Sequence, residues 1–392
     1  MTPAARVQAA IELLDEIIAA AREGGAAADT IIARYFKTRR YAGSKDRRAV
    51  RELVFRAVRR FAEPGSGRAA MLALAGEDRE LLACFDGSPH GPEAPHEVEG
   101  VARAMAVQPW LRERFDPLVA DDELPALLER APLDLRVNRL KGSIDEARAA
   151  LGQAEPTPHS PLALRLAEGT RVEEMPAWAS GLVEIQDEGS QLVCLGCAAQ
   201  PGMLVVDLCA GAGGKTLALA AEMGNEGRIV ACDTDRSRLS RMGPRLERAG
   251  ATIVEPRLLD PGKELEALAD VAGAADLVLV DAPCSGTGTW RRNPETRWRI
   301  TPDRLDRLTW LQARLLDIGS ELVRPGGHLV YAVCSLLAEE GRGQADALSG
   351  RSSLVPEPLP ISVGRPAGTG LLLSPAQDGT DGFFVARWRR PC

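Results

Sequence analysis

Residues Met203–Gly224, MLVVDLCAGAGGKTLALAAEMG, decide the fold. MLVVD is apolar up to its terminal acid, as a strand buried on both faces requires. CAGAGGKT then supplies glycines for a tight turn, and LALAAEMG returns to helical composition. A strand, a glycine turn and a helix in that order bring backbone N–H groups and a helix N-terminus to the mouth of a crevice.

The same alternation continues downstream. GRIVACD (Gly227–Asp233), TIVEPRL (Thr252–Leu258), DLVLVDAP (Asp276–Pro283) and GHLVYAV (Gly327–Val333) are further apolar runs separated by helical segments. They predict a parallel, Rossmann-like α/β sheet covered on both faces. LLLSP and GFFVARWRR, near the end, read as a closing hairpin.

Upstream, apolar residues recur at helical spacing: Ala9, Leu13 and Ile17, then Ile31, Ile32 and Tyr35, then Val50, Leu53, Val54 and Val58. An all-helical domain is expected over residues 1–130. PLDLRVNRLKGS, from Pro132, changes to strand and turn, so a small α+β connecting domain is expected over 131–179 and the sheet domain over 180–392. The Pro/Gly/His-rich stretch Asp86–Glu97, with His90 and His96, reads as a surface loop rather than a metal site.

The chain has 392 residues, 45% of them hydrophobic, enough for a sizeable core. No stretch approaches the roughly 18 continuous apolar residues of a membrane span, and the acid-bearing N-terminus does not read as a signal peptide. A soluble, cytoplasmic protein is expected. Eight cysteines scattered through strand and helix runs read as reduced thiols. Cys194 and Cys197 form a CxxC inside a helical stretch with no second pair or histidine nearby, so packing is favoured and no metal is expected.

A formal charge of −7 argues against nucleic acid if taken alone. The distribution argues otherwise, because Lys and Arg crowd into Phe36–Arg60 and into the tryptophan-bearing run Trp290–Arg307. Arg291, Arg292 and Arg297 of the second run are the candidate contacts to RNA, gripping phosphates beside stacked bases.

The glycine turn has three competing readings. A P-loop needs G-x-x-x-x-G-K-[ST]; GKT stands at Gly214–Thr216, but Cys209 occupies the place of the first glycine. A dinucleotide site needs GxGxxG, whereas Gly211, Gly213 and Gly214 give GxGG. The third reading is an S-adenosylmethionine site over Cys209, Ala210, Gly211, Ala212, Gly213, Gly214 and Lys215. Asp233, ending the second strand, would hold the ribose hydroxyls, and Asp260, after the third, the adenine side. Together with the later cysteines this reading is preferred.

Cys284, in VDAPCSGTG, and Cys334, in LVYAVCS, each lie just past a strand run. Carbon 5 of a pyrimidine is a poor nucleophile until a thiolate adds at carbon 6, which makes the ring an enamine able to attack an activated methyl. Such chemistry needs a reactive Cys, a hydrogen-bonding group near ring N3 and an unstacked base. Cys334 and Cys284 are the candidates, with Asp281 at a strand end and Lys215 as a cation able to lower a thiol pKa.

At these residues the chain resembles the RNA cytosine-5 methyltransferases, specifically the ribosomal RNA small subunit methyltransferase B family. The likeness runs through QDEGSQLV (Gln186–Val193), DLCAGAGGKT (Asp207–Thr216), Asp233–Leu239, DAPCSGTG with RRNPE and RW (Asp281–Trp298), LVRPGGHLVYAVCS (Leu322–Ser335) and DGFF (Asp381–Phe384), about half the chain. It implies an S-adenosylmethionine-dependent methyltransferase sheet, a nucleophile at Cys334, release of the methylated base assisted by Cys284, and cofactor contacts from Cys209 to Lys215 and from Asp233, Asp260 and Asp281. It also implies a NusB-like helical RNA-binding domain at the N-terminus, ribosomal RNA of the small subunit as substrate, and a monomer. The chain departs from the pattern at Val333, where Thr is usual, and at Gly341, where Asn is usual. The rival expectations are the same chemistry on transfer RNA and a non-catalytic RNA-binding assembly factor.

Overall fold

The computed structural model describes residues 1–96 and 99–392. Glu97, the last residue of the loop expected at Asp86–Glu97, lies outside the described residues. The chain forms two compact units, one of Met1–Phe115, Leu124–Arg130 and Thr289–Pro302, the other of Asp116–Glu123, Ala131–Gly288 and Asp303–Cys392. Among the described residues no helix is long and apolar enough to cross a membrane.

The first unit is helical. Helix α1 (Pro3–Glu23) starts where the Thr2 hydroxyl accepts from the Ala5 N–H at 3.2 Å, with Pro3 in its first turn, and stops at Gly24 with φ 74°. Its buried stripe of Val7, Ala10, Leu14 and Ile17 shares one core with Ile31 of α2 (Ala28–Thr38), Val50, Val54 and Val58 of α3 (Ser44–Arg60), and Met71 and Leu74 of α4 (Gly67–Ala75). The other side of α3 leaves Lys45, Arg47, Arg48, Arg51, Arg56 and Arg60 exposed. Ion pairs to Asp29, Asp78 and Glu77 partly neutralise it.

Thr289–Pro302 closes this unit, and here one expectation is corrected. Trp290 is fully buried with its ring edge-on to Phe115 at 5.8 Å. Glu295 accepts from the Ala28 N–H at 3.1 Å, satisfying a donor at the start of α2. The Arg297 guanidinium, 2% exposed, donates to the carbonyls of Ala106 at 2.6 Å and of Val58. Trp298 donates to the Phe61 carbonyl at 2.9 Å, and Arg299 to those of Gly25 and Ala26 at 3.0 and 2.7 Å. Arg297 therefore ties the last turn of α3 to the bend at Ala106 instead of facing RNA. Arg291 is likewise buried, while Arg292 is half-buried.

The second unit contains two sheets. In the smaller, β1 (Leu133–Val137), β2 (Glu155–Pro156), β3 (Ala163–Leu166) and β4 (Val183–Ile185) are antiparallel in the order β2-β3-β1-β4, over a core of Leu135, Val137, Leu164 and Val183. Its fourth strand comes after residue 179. The Asn138 amide then donates to the carbonyls of Gly181 at 2.9 Å and Ala249 at 2.8 Å, fastening this sheet to a helix of the larger layer.

The larger sheet comprises β5 (Leu204–Asp207), β6 (Arg228–Asp233), β7 (Val254–Leu258), β8 (Ala275–Asp281), β9 (Val323–Val333), β10 (Val355–Glu357), β11 (Arg365–Ala367), β12 (Gly370–Leu373) and β13 (Phe383–Arg389). Its order is β11-β12-β13-β9-β8-β5-β6-β7, with β10 beside β13. Strands β5 to β9 are parallel, whereas β12 and β13 form the expected antiparallel hairpin on β9. Val205, Ile229, Leu277, Leu279 and Val330 are fully or almost fully buried, which is why the sequence showed continuous apolar runs. From β5 the chain winds outward through β6 and β7, then restarts on the opposite side at β8. That reversal opens a crevice at the carboxyl ends of β5 and β8, where Asp207 and Asp281 stand.

Candidate active site

The glycine turn after β5 is shaped by two left-handed residues, Gly211 with φ 57° and Gly213 with φ 86°. A Cβ on Gly213 would come within 2.8 Å of the Met242 side chain, so the turn is closely packed from behind. The Gly211 N–H donates to Asp233 at 2.9 Å, and the second oxygen of that carboxylate accepts from the Asp235 N–H at 2.7 Å. Asp233 is thus fixed at the end of β6, facing the turn. Asp260 is exposed just beyond β7, next to Leu259, whose N–H donates to the Asp233 carbonyl at 3.0 Å. Cys209, Ala210, Gly211 and Ala212 are part-exposed, and the helix Gly214–Glu222 begins directly behind them.

These residues fit an S-adenosylmethionine molecule. The backbone is free of side chains where it must approach a ligand, no phosphate cradle is completed because Cys209 replaces the P-loop glycine, and an acid waits at the second strand's end. The turn would hold the amino-acid part and Asp233 the ribose.

Lys215, in the first turn of that helix, reaches Asp281 with Nζ···Oδ2 at 2.6 Å. Burial alone would lower the lysine pKa, but the carboxylate outweighs it and leaves the ammonium above its ordinary value. The cation also lies 5.5 Å from the centre of the Phe383 ring.

Asp207 was not among the residues singled out from the sequence. It is fully buried, accepts from the Thr216 hydroxyl at 2.7 Å, and leaves Oδ1 without a partner. Burial, against the pull of the Thr216 hydrogen bond, raises its pKa to about 7. A carboxyl raised in the folded state favours folding when protonated, so its contribution is complete below about pH 4 and is lost as pH climbs through 7. Asp207→Asn, neutral throughout, should gain on the wild type by about 2–3 kcal/mol between pH 5 and pH 8. Denaturant unfolding of both proteins across that range checks this; a pH-independent difference would refute it.

The two cysteines converge. Strands β8 and β9 are in register at Asp281 and Ala332, which brings the loops that follow them side by side. Cys284 and Cys334 lie with Sγ···Sγ at 3.4 Å, both part-buried and unbridged. The hydrogen bond to Cys334, then burial, pushes the Cys284 thiol well up, so Cys284 keeps its proton while facing Cys334. Both of the other two prominent cysteines, Cys194 and Cys197, are buried in the helix Glu188–Cys197.

Behind the thiols lies a polar network that reading the sequence missed. Ser285 and Ser335, each following a cysteine, meet with Oγ···Oγ at 3.1 Å, and Thr287 Oγ1 lies 3.1 Å from Ser335 Oγ. The fully buried Glu340 accepts from both serines and from Gln312. The repeated Cys-Ser was the available signal. Gly341, where Asn was usual, packs against Phe384: a Cβ there would sit 2.8 Å from the ring. Val333 is fully buried opposite Phe384, where a hydroxyl would need a partner.

Comparison with known proteins shows what the chain as a whole is similar to. A family profile described as 16S rRNA methyltransferase RsmB/F matches residues 195–389. A ribosomal RNA small subunit methyltransferase B from Pasteurella multocida is 34% identical over 268 residues, which are 67% of this chain and 59% of that protein. The chain thus spans about three-fifths of that relative's length. Among solved structures, that of PH0851 shares the fold over 100% of this chain and 99% of its own, with TM-score 0.78 and 23% identity. A methyltransferase homolog protein from Pyrococcus horikoshii matches 72% of this chain and 94% of its own, with TM-score 0.62 and 29% identity.

Proposed function

Because the chain belongs, through residues 195–389, to the 16S rRNA methyltransferase RsmB/F family, we propose that it methylates carbon 5 of a cytosine in small-subunit ribosomal RNA, using S-adenosylmethionine. The observation that carries the reading is the pair of thiols 3.4 Å apart at the ends of adjacent parallel strands, beside the glycine turn and the Lys215–Asp281 pair. When bound, S-adenosylmethionine would supply an electrophilic methyl group.

The chain's own residues do the rest. Cys334 adds as thiolate to carbon 6 of an unstacked cytosine, placing electron density on carbon 5. Lys215 and Asp281 present a polar edge to the base and orient it. Once carbon 5 carries the methyl, its proton passes to solvent water, the electrons of that C–H bond restore the ring double bond, and the Cys334 thiolate leaves carbon 6, a release that Cys284 assists. Cys284 suits the second role because its sulfur lies 3.4 Å from that of Cys334, beside the carbon–sulfur bond that must break.

RNA is drawn to the exposed basic face of α3 and to Arg292, the one of the three expected arginines that is not buried. Arg291 and Arg297 drop out of this role. The relatives' printed names favour ribosomal RNA over transfer RNA as substrate. With such a substrate, we infer an enzyme of the cytoplasm, working as a monomer.

The test is transfer of labelled methyl from S-adenosylmethionine to unmodified small-subunit ribosomal RNA, with transfer RNA in parallel. Label on 5-methylcytosine of the ribosomal RNA is expected. Cofactor binding with no transfer to either RNA would leave the assembly-factor reading, and transfer confined to transfer RNA would change the substrate.

A further inference from the structure

Glu340 has no part in the scheme above, yet it is the best-held acid near the thiols. Its side chain is fully buried, and among the described residues no Lys, Arg or His pairs with it. Oε1 accepts from the Ser285 N–H at 2.8 Å and from Gln312 Nε2 at 2.9 Å. Oε2 accepts from the Ser335 hydroxyl at 2.5 Å and from the Ser285 hydroxyl. A buried carboxylate neutralised only by uncharged donors costs several kcal/mol in desolvation, and well-packed apolar residues would serve a core better. Its four hydrogen bonds have a specific distribution. Ser285 follows Cys284, Ser335 follows Cys334, and Gln312 also donates to the carbonyl of Pro283, the residue before Cys284, at 2.9 Å.

We propose that Glu340 is a positioning residue: its single carboxylate clamps the loop bearing Cys284 to the loop bearing Cys334 and so fixes the distance and the division of roles between the two thiols. The pairing of β8 with β9 aligns the strands only as far as Asp281 and Ala332. Past those residues the two chains leave the strand ladder, and the hydrogen bonds from the Gly288 N–H to the Cys334 carbonyl at 3.1 Å and from the Leu336 N–H to the Thr287 hydroxyl at 2.8 Å join the clamp at its far side. The backbone of Glu340 is anchored in turn, because the Tyr331 hydroxyl donates to the Glu340 main-chain carbonyl at 2.6 Å. The negative charge of Glu340 is also among the influences that push the Cys284 thiol up, after Cys334 and burial. Positioning errors of about 1 Å cost on the order of 100-fold in rate, so a clamp of this kind is worth its desolvation.

This inference rests on the methyltransfer reading for its consequence but not for its geometry, and the experiment separates the two. Glu340→Gln, and independently Ser335→Ala, are compared with wild type for kcat, for KM toward RNA, for S-adenosylmethionine affinity, and for the rates at which iodoacetamide labels Cys284 and Cys334, read by peptide mass spectrometry. Both variants should lose about 10- to 100-fold in kcat with KM and cofactor affinity within about twofold. Wild type should label preferentially at Cys334, and the variants should lose that preference. A merely structural role would instead raise labelling of both thiols together and weaken cofactor binding. Unchanged kcat and unchanged labelling preference in both variants would overturn the clamp. Lost preference in the variants of a protein whose wild type transfers no methyl would uphold the clamp and sink the methyltransfer reading.

Discussion

Alanine at Cys334 is expected to stop methyl transfer, lowering the rate by on the order of 10⁴-fold or more. In the proposed scheme the Cys334 thiolate makes carbon 5 nucleophilic, and Cys284, whose thiol is pushed up by its neighbour and by burial, does not stand in for it. Alanine at Cys284 gives a different defect. Addition and methylation should proceed while release stalls, so that a covalent protein–RNA complex accumulates and survives denaturing electrophoresis. Folding of both variants should be little affected, because each loses one part-buried sulfur beside a network that stays intact. An adduct trapped at Cys334→Ala rather than at Cys284→Ala would reverse the assignment, and substantial activity in Cys334→Ala would end it.

The second large effect is expected at Asp281→Asn. The Lys215 ammonium is 12% exposed and Asp281 28% exposed, at 2.6 Å from each other. Removing one partner of a buried pair costs about 3–5 kcal/mol, because the remaining charge is left uncompensated. The part-exposed carboxylate places this site at the lower end, about 3 kcal/mol. Without Asp281, burial governs Lys215 and lowers its pKa, the reverse of its present state. Methyl transfer should fall by on the order of 100-fold or more as the base loses its polar edge. The double variant Asp281→Asn with Lys215→Met should recover most of the stability and none of the activity. Denaturant unfolding and the methyl-transfer assay read both, and a double variant no more stable than the single one would show that the charge is not the cause.

The sheet was legible in the sequence because its signals are local. Each of β5, β6, β8 and β9 is buried on both faces, and that alone produces a continuous apolar run. The glycine turn was legible for the same reason, since Gly211 and Gly213 are needed at positive φ. The two cysteines were placed correctly just past strand ends, but their closeness depends on β8 and β9 being adjacent, which spacing alone does not give. What failed was the reading of Trp290–Arg307. Arginines interleaved with tryptophans suit a single-stranded RNA platform, but they equally suit a plug whose guanidinium satisfies helix-end carbonyls. The choice between them depends on Val58 and Phe61, some 240 positions away. Glu340 escaped because nothing local marks an acid as buried; its donors come from residues 285, 312 and 335. Asp207 escaped because an acid ending a strand is ordinarily a solvated cap.

The excursion of Thr289–Pro302 into the helical unit has a consequence for biosynthesis. During translation, the helices of Met1–Phe115 emerge long before the segment that completes them, since residues 131–288 must be made in between. At about 5–20 residues per second that interval lasts roughly 8–30 s. Until it ends, the Ala28 N–H lacks Glu295, and the Val58 and Ala106 carbonyls lack Arg297. The nascent helical unit is therefore a waiting intermediate: four strands of the parallel sheet, β5 to β8, are made before it is sealed, and β9 to β13 follow only afterwards.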